Sequence, residues 1–188
     1  SNIIVGIDEV GKGAWAGPVV AGAVGIQQVE IFNLIKDSKR LSPAKRDLLN
    51  KEIINNHCCG IGHASVQEIN SLGLNPATFL AMERAINSLE IHPNLILLDG
   101  NYKTNFPIRT LNIIKGDQKS ISIAAASIIA KVYRDNLMRD LAAIKSQYGW
   151  ESNVGYGTSL HIEMIKKYGI SEHHRKNFKP IKYLISQI

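Results

Sequence analysis

Apolar residues along this chain fall into two kinds of pattern. Ile3-Ile4-Val5-Gly6-Ile7 and Leu95-Ile96-Leu97-Leu98 are unbroken runs of strand length, the pattern of strands buried on both faces. Residues 18–26, rich in Val, Ala and Gly, read as a second strand, residues 60–66 as a weaker third, and residues 109–114 as a further short one. Helical punctuation lies between them. Ser42-Pro43 supplies an N-cap followed by Pro at the first helical position, and this helix would carry Leu48, Leu49 and Ile53 toward a core. Asn75-Pro76 repeats the signal for a helix presenting Ala77, Leu80, Ala81 and Leu89, closed by Pro93. The longest helical pattern covers residues 122–148, with Ala125, Ile128, Ile129 and Val132 on one stripe. Residues 150–158 read as a glycine-containing loop and residues 160–168 as a short amphipathic helix. Asp37-Ser38-Lys39-Arg40-Leu41 reads as a polar loop.

Strands mixed with helices in this order predict an α/β fold, a mixed sheet with helices packed on it. A parallel crossover is expected between the early strands and the Leu95–Leu98 strand. At 188 residues the chain fits a single domain with a short appendage, and no internal repeat breaks it up. Hydrophobic residues make up 45% and charged residues 20%, an ordinary globular balance. No apolar run approaches the roughly 18 residues that a membrane helix needs. No leader precedes Ile3, and Cys58-Cys59 are adjacent, with no CxxC partner for zinc; two free thiols lead us to expect a cytoplasmic protein.

The chemistry is concentrated where the first strand ends. Asp8-Glu9 follow the apolar run directly and open the glycine turn Gly11-Lys12-Gly13. Two adjacent acids losing hydration need a counter-charge, and a hard cation with oxygen ligands is the usual one. Gly6-x-x-x-x-Gly11-Lys12 imitates a P-loop, but position 13 is Gly where Ser or Thr should reach Mg²⁺, and two acids occupy the phosphate cradle, where they would oppose a triphosphate. Asp99 ends the second apolar run. Alone, Asp99-Gly100 reads as a turn; beside Asp8 and Glu9 it reads as a third metal ligand at the carboxyl edge of a parallel sheet.

Other candidates have blander readings from spacing alone. Asp135 shares a helix face with Ser127 and Lys131, which reads as a surface ion pair with Lys131 or Arg139. Asp117 reads as a cap for the turn into the long helix. Tyr156, between Gly155 and Gly157, reads either as a loop residue with its hydroxyl in water or as a ring that stacks on a nucleotide. His161, His173 and His174 read as surface residues. A formal net charge of +6 alongside an acidic motif suggests a polyanionic partner whose cleavage needs metal.

Six stretches in order carry a more specific signal: Gly6-Ile-Asp-Glu-Val-Gly-Lys-Gly-Ala-Trp-Ala-Gly-Pro-Val19, Asp37-Ser-Lys-Arg-Leu-Ser42, Leu97-Leu-Asp-Gly-Asn101, Lys115-Gly-Asp117, Ala125-Ala-Ser-Ile-Ile-Ala-Lys-Val-Tyr-Arg-Asp135 and Gly155-Tyr-Gly-Thr158. Along nearly its whole length the chain resembles bacterial ribonuclease HII, the type 2 ribonucleases H. The resemblance implies a ribonuclease H-like fold over residues 1–188, a five-stranded mixed sheet flanked by helices, with residues from about 150 to 188 forming a loop and a helical C-terminal extension. It implies endonucleolytic cutting of RNA in RNA–DNA hybrids and at single ribonucleotides embedded in duplex DNA, leaving 5′-phosphate and 3′-hydroxyl ends.

The family's four acids map onto Asp8, Glu9, Asp99 and Asp135, which would hold two Mg²⁺ or Mn²⁺ ions, and its substrate tyrosine maps onto Tyr156. Backbone amides of Gly11-Lys12-Gly13 would meet a 2′-hydroxyl, while Lys12, Lys39 and the basic C-terminal cluster would hold the phosphate backbone. Two departures stand out. The family's usual Gly-Arg-Gly turn has Lys12 at its centre here, losing a planar fork for phosphate, and the Ser usual at position 124 is Ala124. A monomer is expected, with a replication-clamp contact left open. Two rival readings keep the fold and change the activity: a non-catalytic hybrid-binding module, or a DNA junction nuclease.

Overall fold

Strand and helix alternate around one central sheet in a computed structural model that describes residues 3–26, 35, 42–103 and 105–187. The Asp37–Leu41 stretch, and Lys39 with it, lies outside the described residues. Strands β1 (Ile4–Val10), β2 (Val19–Gly25), β3 (Cys58–Ala64), β4 (Leu95–Asp99) and β5 (Arg109–Ile113) form a five-stranded sheet in the order β3-β2-β1-β4-β5. β1 runs antiparallel to β2 and β2 antiparallel to β3, while β1–β4 and β4–β5 are parallel. The sheet is mixed and the predicted crossover joins β1 to β4, so the two acid-tipped strands are neighbours pointing the same way.

Helices cover both faces. α1 (Pro43–Asn56) starts where Ser42 caps the Lys45 amide. Two short-spaced helices follow β3, α2 (Val66–Leu72) and α3 (Leu74–Asn87), and α3 packs on the face formed by Val5, Ile7, Ile96 and Leu98. α4 (Ile121–Ile144) crosses the opposite face, where Ala125, Ile128 and Ile129 meet Val24 and the α1 residues Leu49 and Ile53. Glycine sets how close α4 comes. A methyl at Gly6 would lie 2.2 Å from the Ser122 backbone, and one at Gly22 2.4 Å from the Ala126 carbonyl. Side chains there would push the helix off the strand that carries Asp8.

Past α4 the chain forms α5 (Trp150–Asn153), α6 (Ser159–Tyr168) and α7 (Lys179–Ile185). These bury Trp150, Ile165 and Ile181 against Met138 of α4 and Ala16 of the loop after β1. The C-terminal segment is thus packed onto the glycine turn by a small core of its own.

Several local expectations are corrected. Leu48 is exposed, because the α1 stripe facing α4 is only Leu49 and Ile53 wide. β3 ends at Ala64, short of the expected Val66, because Ser65 and Glu68 form a reciprocal capping box that starts α2. α3 begins from Gly73, ahead of Asn75-Pro76, and ends at Asn87, leaving Leu89 to pack as part of the loop. α4 stops at Ile144, and residues 150–158 are not all loop. Among the described residues no helix is long and apolar enough to cross a membrane, and Cys58 and Cys59 are both free.

Candidate active site

Register brings the acids together. Ile7 pairs with Leu98, so Asp8 and Asp99 follow on adjacent parallel strands at the carboxyl edge of the sheet. Strand alternation then splits Asp8 from Glu9. Asp8 takes the face of α4, where Ser127 hydrogen-bonds its carboxylate and its own Oδ1 accepts from the Glu9 amide at 2.8 Å. Asp99 Oδ1 accepts from the Gly116 amide, in the turn that leads into α4. Glu9 takes the other face, where Tyr102 donates to its Oε1 at 2.7 Å.

The electrostatics are those of an unbalanced site. Burial pushes the Asp8 carboxyl up to about 7, with repulsion from Glu9 and Asp99 adding to it and the Ser127 bond opposing it. Burial also raises Glu9, against the Tyr102 hydrogen bond and the Lys12 charge, and Asp99 adds repulsion here too. Glu9 Oε2 is buried with no hydrogen-bond partner among the described residues. Among the described residues, Lys12 supplies compensating charge. Its Nζ donates to the Tyr102 hydroxyl at 2.7 Å and lies 3.9 Å from Glu9 Oε1. In this arrangement Lys12 points inward, toward the acids.

An all-oxygen donor set with an orphaned carboxylate oxygen and raised carboxyls fits a hard divalent cation such as Mg²⁺ or Mn²⁺. Among the described residues, however, no three His, Cys, Asp or Glu side chains close into a ready-made metal cage. Asp135 stands further along α4 on the line that starts at Ser127, and it carries the ion pair expected from spacing alone, 2.7 Å from Lys131 Nζ. Asp117 sits in the short 3-10 turn at Gly116–Gln118, just past the Asp99 hydrogen bond.

The other half of the site is a pair of loops. Gly11 turns the chain with φ of +90°, a conformation that L side chains avoid. Trp15 and Ala16 amides then bond the Gly155 carbonyl at 2.8 and 3.2 Å, which brings Tyr156 over the turn. A methyl at Gly13 would meet the Tyr156 ring at 3.7 Å. Gly11, Lys12, Gly13 and Tyr156, separate in sequence, are therefore one surface.

Two buried arginines hold that surface. Arg134 donates to the carbonyls of Pro18, Val154 and Ala16 at 2.9, 2.8 and 3.0 Å. Arg175 donates to those of Gly17 and Lys12, both at 3.0 Å. Burial and the charge of Arg134 push the Arg175 guanidinium down to about 9, which leaves it charged at neutral pH. Arg175 is thus removed from the expected phosphate-holding C-terminal cluster: it is fully buried and grips backbone. His161 and His174 are corrected as well. Both are fully buried, because the C-terminal core closes over them, and His173 is half-buried.

Sequence reasoning missed Tyr102, Arg134 and the buried histidines. Arg134 had a signal: Ala130, Arg134 and Met138 fall at i, i+4 and i+8, and all three are fully buried, so the arginine lies on the apolar stripe. Tyr102, three residues beyond Asp99, had none.

With the geometry in place, the comparisons are direct. The family model described as Ribonuclease HII matches residues 5–181. A Ribonuclease HII from Orientia tsutsugamushi is 51% identical over 180 residues, covering 95% of this chain and 87% of that protein. The crystal structure of ribonuclease H2 from Pyrococcus horikoshii aligns with a TM-score of 0.81 at 26% identity, covering 98% of this chain and 97% of that one. A Bst-RNase HIII in complex with Mn²⁺ aligns with a TM-score of 0.74 at 20% identity, covering all of this chain and 70% of that one; this likeness speaks for the fold alone.

Proposed function

The chain belongs to the ribonuclease HII family, and from that premise we propose that it cuts both RNA–DNA hybrids and duplex DNA carrying single embedded ribonucleotides, by metal-assisted phosphodiester hydrolysis. The observation that carries the reading is the meeting of two parts at one turn: carboxylates at the ends of β1 and β4, and Tyr156 against Gly13.

Asp8, Glu9 and Asp99 would hold Mg²⁺ or Mn²⁺, with Asp135 completing the set and Asp117 in support. Two bound ions would supply an activated water and charge stabilisation on the leaving oxygen. The chain's own residues do the rest. Asp8 and Glu9 become good ligands only when deprotonated, and burial keeps water from competing for them. The scissile phosphorus gains the water oxygen and loses the 3′-oxygen, which leaves as a hydroxyl, so the new ends are 3′-hydroxyl and 5′-phosphate. The Gly11-Lys12-Gly13 amides would meet the 2′-hydroxyl, which is the group that separates RNA from DNA. Tyr156 would pack on the adjoining deoxyribose, making the pair a reader of the ribose-to-deoxyribose step. Lys12, released from Glu9 once a cation takes over its charge, would turn to phosphate. Lys39 is proposed for the same task from the resemblance alone.

The test is cleavage of duplex DNA with one embedded ribonucleotide, with and without Mg²⁺. Cutting that needs the metal and leaves 5′-phosphate ends supports the reading. Binding without cutting in either Mg²⁺ or Mn²⁺ would return the chain to a hybrid-binding module, and cutting of an all-DNA junction would make it a junction nuclease.

A further inference from the structure

Three buried side chains behind Tyr156, His174, His161 and Trp150, take no part in the chemistry above. His174 Nδ1 faces the Ser171 amide at 2.9 Å. His174 Nε2 and His161 Nε2 are 3.1 Å apart. The indole N–H of Trp150 points at His161 Nε2 from 3.2 Å. His161 Nδ1 lies 2.9 Å from the Tyr156 carbonyl.

The partners fix every proton. A backbone N–H only donates, so His174 Nδ1 carries a lone pair and its proton sits on Nε2, directed at His161. Trp150 also only donates, so the single lone pair of His161 Nε2 is shared between the two donors. The His161 proton must then be on Nδ1, and it is directed at a carbonyl that can only accept. One arrangement of protons satisfies the whole chain, and it runs in one direction, from Ser171 to Tyr156. The Tyr156 carbonyl also accepts from the Thr158 amide at 2.9 Å, and the Tyr156 amide donates to the Asn153 carbonyl at 2.9 Å. The backbone on both sides of the tyrosine is therefore tied down.

We propose that His161 and His174 are positioning residues for substrate discrimination, a directional hydrogen-bond relay that holds Tyr156 against the glycine turn. This rests on reading Tyr156 as the sensor of the ribose-to-deoxyribose step. An added proton on either ring would set donor against donor, at the Ser171 amide or at the Trp150 indole. Burial disfavours that proton too, pushing His174 down to about 3 with His161 and His173 adding to it, and lowering His161. Among the described residues, the ionisable groups beside the pair are Glu172 and His173, 3.5 Å from each other, with Lys145 3.6 Å from Glu172; the Tyr148 and Trp150 rings pack against it. The relay is thus built to hold through mild acid.

The test compares kcat/KM on a single embedded ribonucleotide with kcat/KM on a long hybrid, for wild type, His161→Leu, His161→Asn, Tyr156→Ala and His161→Leu/Tyr156→Ala. Losing one buried hydrogen bond should shift that ratio by about tenfold in His161→Leu. His161→Asn, which keeps a donor near Nδ1, should recover most of it, and the double variant should match Tyr156→Ala. A normal ratio in His161→Leu beside a reduced one in Tyr156→Ala overturns the relay alone; an unchanged ratio in Tyr156→Ala overturns the reading of Tyr156 and the relay with it. Histidine ¹⁵N spectra of the wild-type protein keep the proposal exposed if His161→Leu does not fold. Nδ1–H at His161 and Nε2–H at His174, unchanged from pH 8 to pH 5, are expected, and titration of either ring in that range overturns it.

Discussion

At the tips of β1 and β4, three acids crowd like charge onto one edge of the sheet, and Glu9 keeps a buried oxygen with no hydrogen-bond partner among the described residues. On the far side of the same glycine turn, each of the three nitrogens of Arg134 donates to a carbonyl, and two histidines meet ring to ring. The first region is left short of positive charge; the second is braced by many more bonds than it leaves unmade, with Arg175 Nη2 as its buried donor that has no partner among the described residues. The contrast separates two jobs. A site awaiting a cation must hold its ligands in a state that costs stability until the cation arrives. A surface that measures sugar geometry must be stiff before the substrate arrives, and satisfied buried polar networks supply stiffness. Lys12 belongs to both, since its carbonyl is held by Arg175 and its ammonium leans on Glu9 and Tyr102.

The comparison breaks first if the acid edge is dispensable. Asp99→Asn keeps the shape and the Gly116 contact but removes the charge a cation needs. Cleavage should fall by at least about 100-fold, the upper range for disturbing even an outer-shell metal contact, with hybrid binding retained. Near-normal turnover in saturating Mg²⁺ would remove Asp99 from the ligand set.

Damage to the clamp should read out as stability first. Arg134→Met fills a similar volume and strands the carbonyls of Ala16, Pro18 and Val154. The expected cost is about 3 kcal/mol or more, since bonds to a charged donor are worth roughly 1.5–3 kcal/mol each. Urea unfolding measures it, and a midpoint within error of wild type would mean that the loops do not depend on this residue.

Between the two regions stands Tyr156. Tyr156→Ala should lose about ten- to a hundredfold more activity on a single embedded ribonucleotide than on a long hybrid, because stacking on a nucleotide is worth ~1–3 kcal/mol. Its stability and metal affinity should change little. Equal loss on both substrates would make Tyr156 a general positioning group.

These two regions were not equally legible in the sequence. The acid edge could be read because its cause is local: an apolar run must be a strand, its end must reach the sheet edge, and acids found there demand a counter-charge. β1, β4 and the capped start of α1 all follow from signals within a few residues. Asp135 and Tyr156 came into view only through resemblance, since nothing near them in sequence distinguishes a functional side chain from a surface one. The clamp was hidden for a different reason. Arg134, Arg175, His161 and His174 bond to backbone carbonyls and to each other across long stretches of chain, and any loop offers carbonyls. A basic C-terminus therefore looks like a phosphate grip when part of it is internal bracing. Capping at Ser65 was legible and was overlooked, because strand and helix signals overlapped there.

The smallest expected effect tests the imbalance itself. In the metal-free protein Asp8 is raised to about 7 from an ordinary 3.8. Between those values the native state holds more protons than the unfolded one, so this group's contribution to stability is intact in acid and is lost as pH rises through 7. His174 acts oppositely, since its lowered value removes stability as pH falls below about 6.5. A plain pH–stability curve mixes the two. Asp8→Asn separates them: without metal it should match wild type near pH 5 and exceed it at pH 8 by on the order of 1 kcal/mol, or about 2–4 °C. Mg²⁺ should raise the wild-type melting temperature more at pH 8 than at pH 5, because the cation binds only the deprotonated acids, and it should raise that of Asp8→Asn less at both. Differential scanning calorimetry with and without Mg²⁺ at the two pH values reads all of this. A wild-type protein that gains nothing from Mg²⁺ at pH 8, or an Asp8→Asn variant that is less stable than wild type there, would mean that the acid edge is already balanced and the contrast with the clamp is lost.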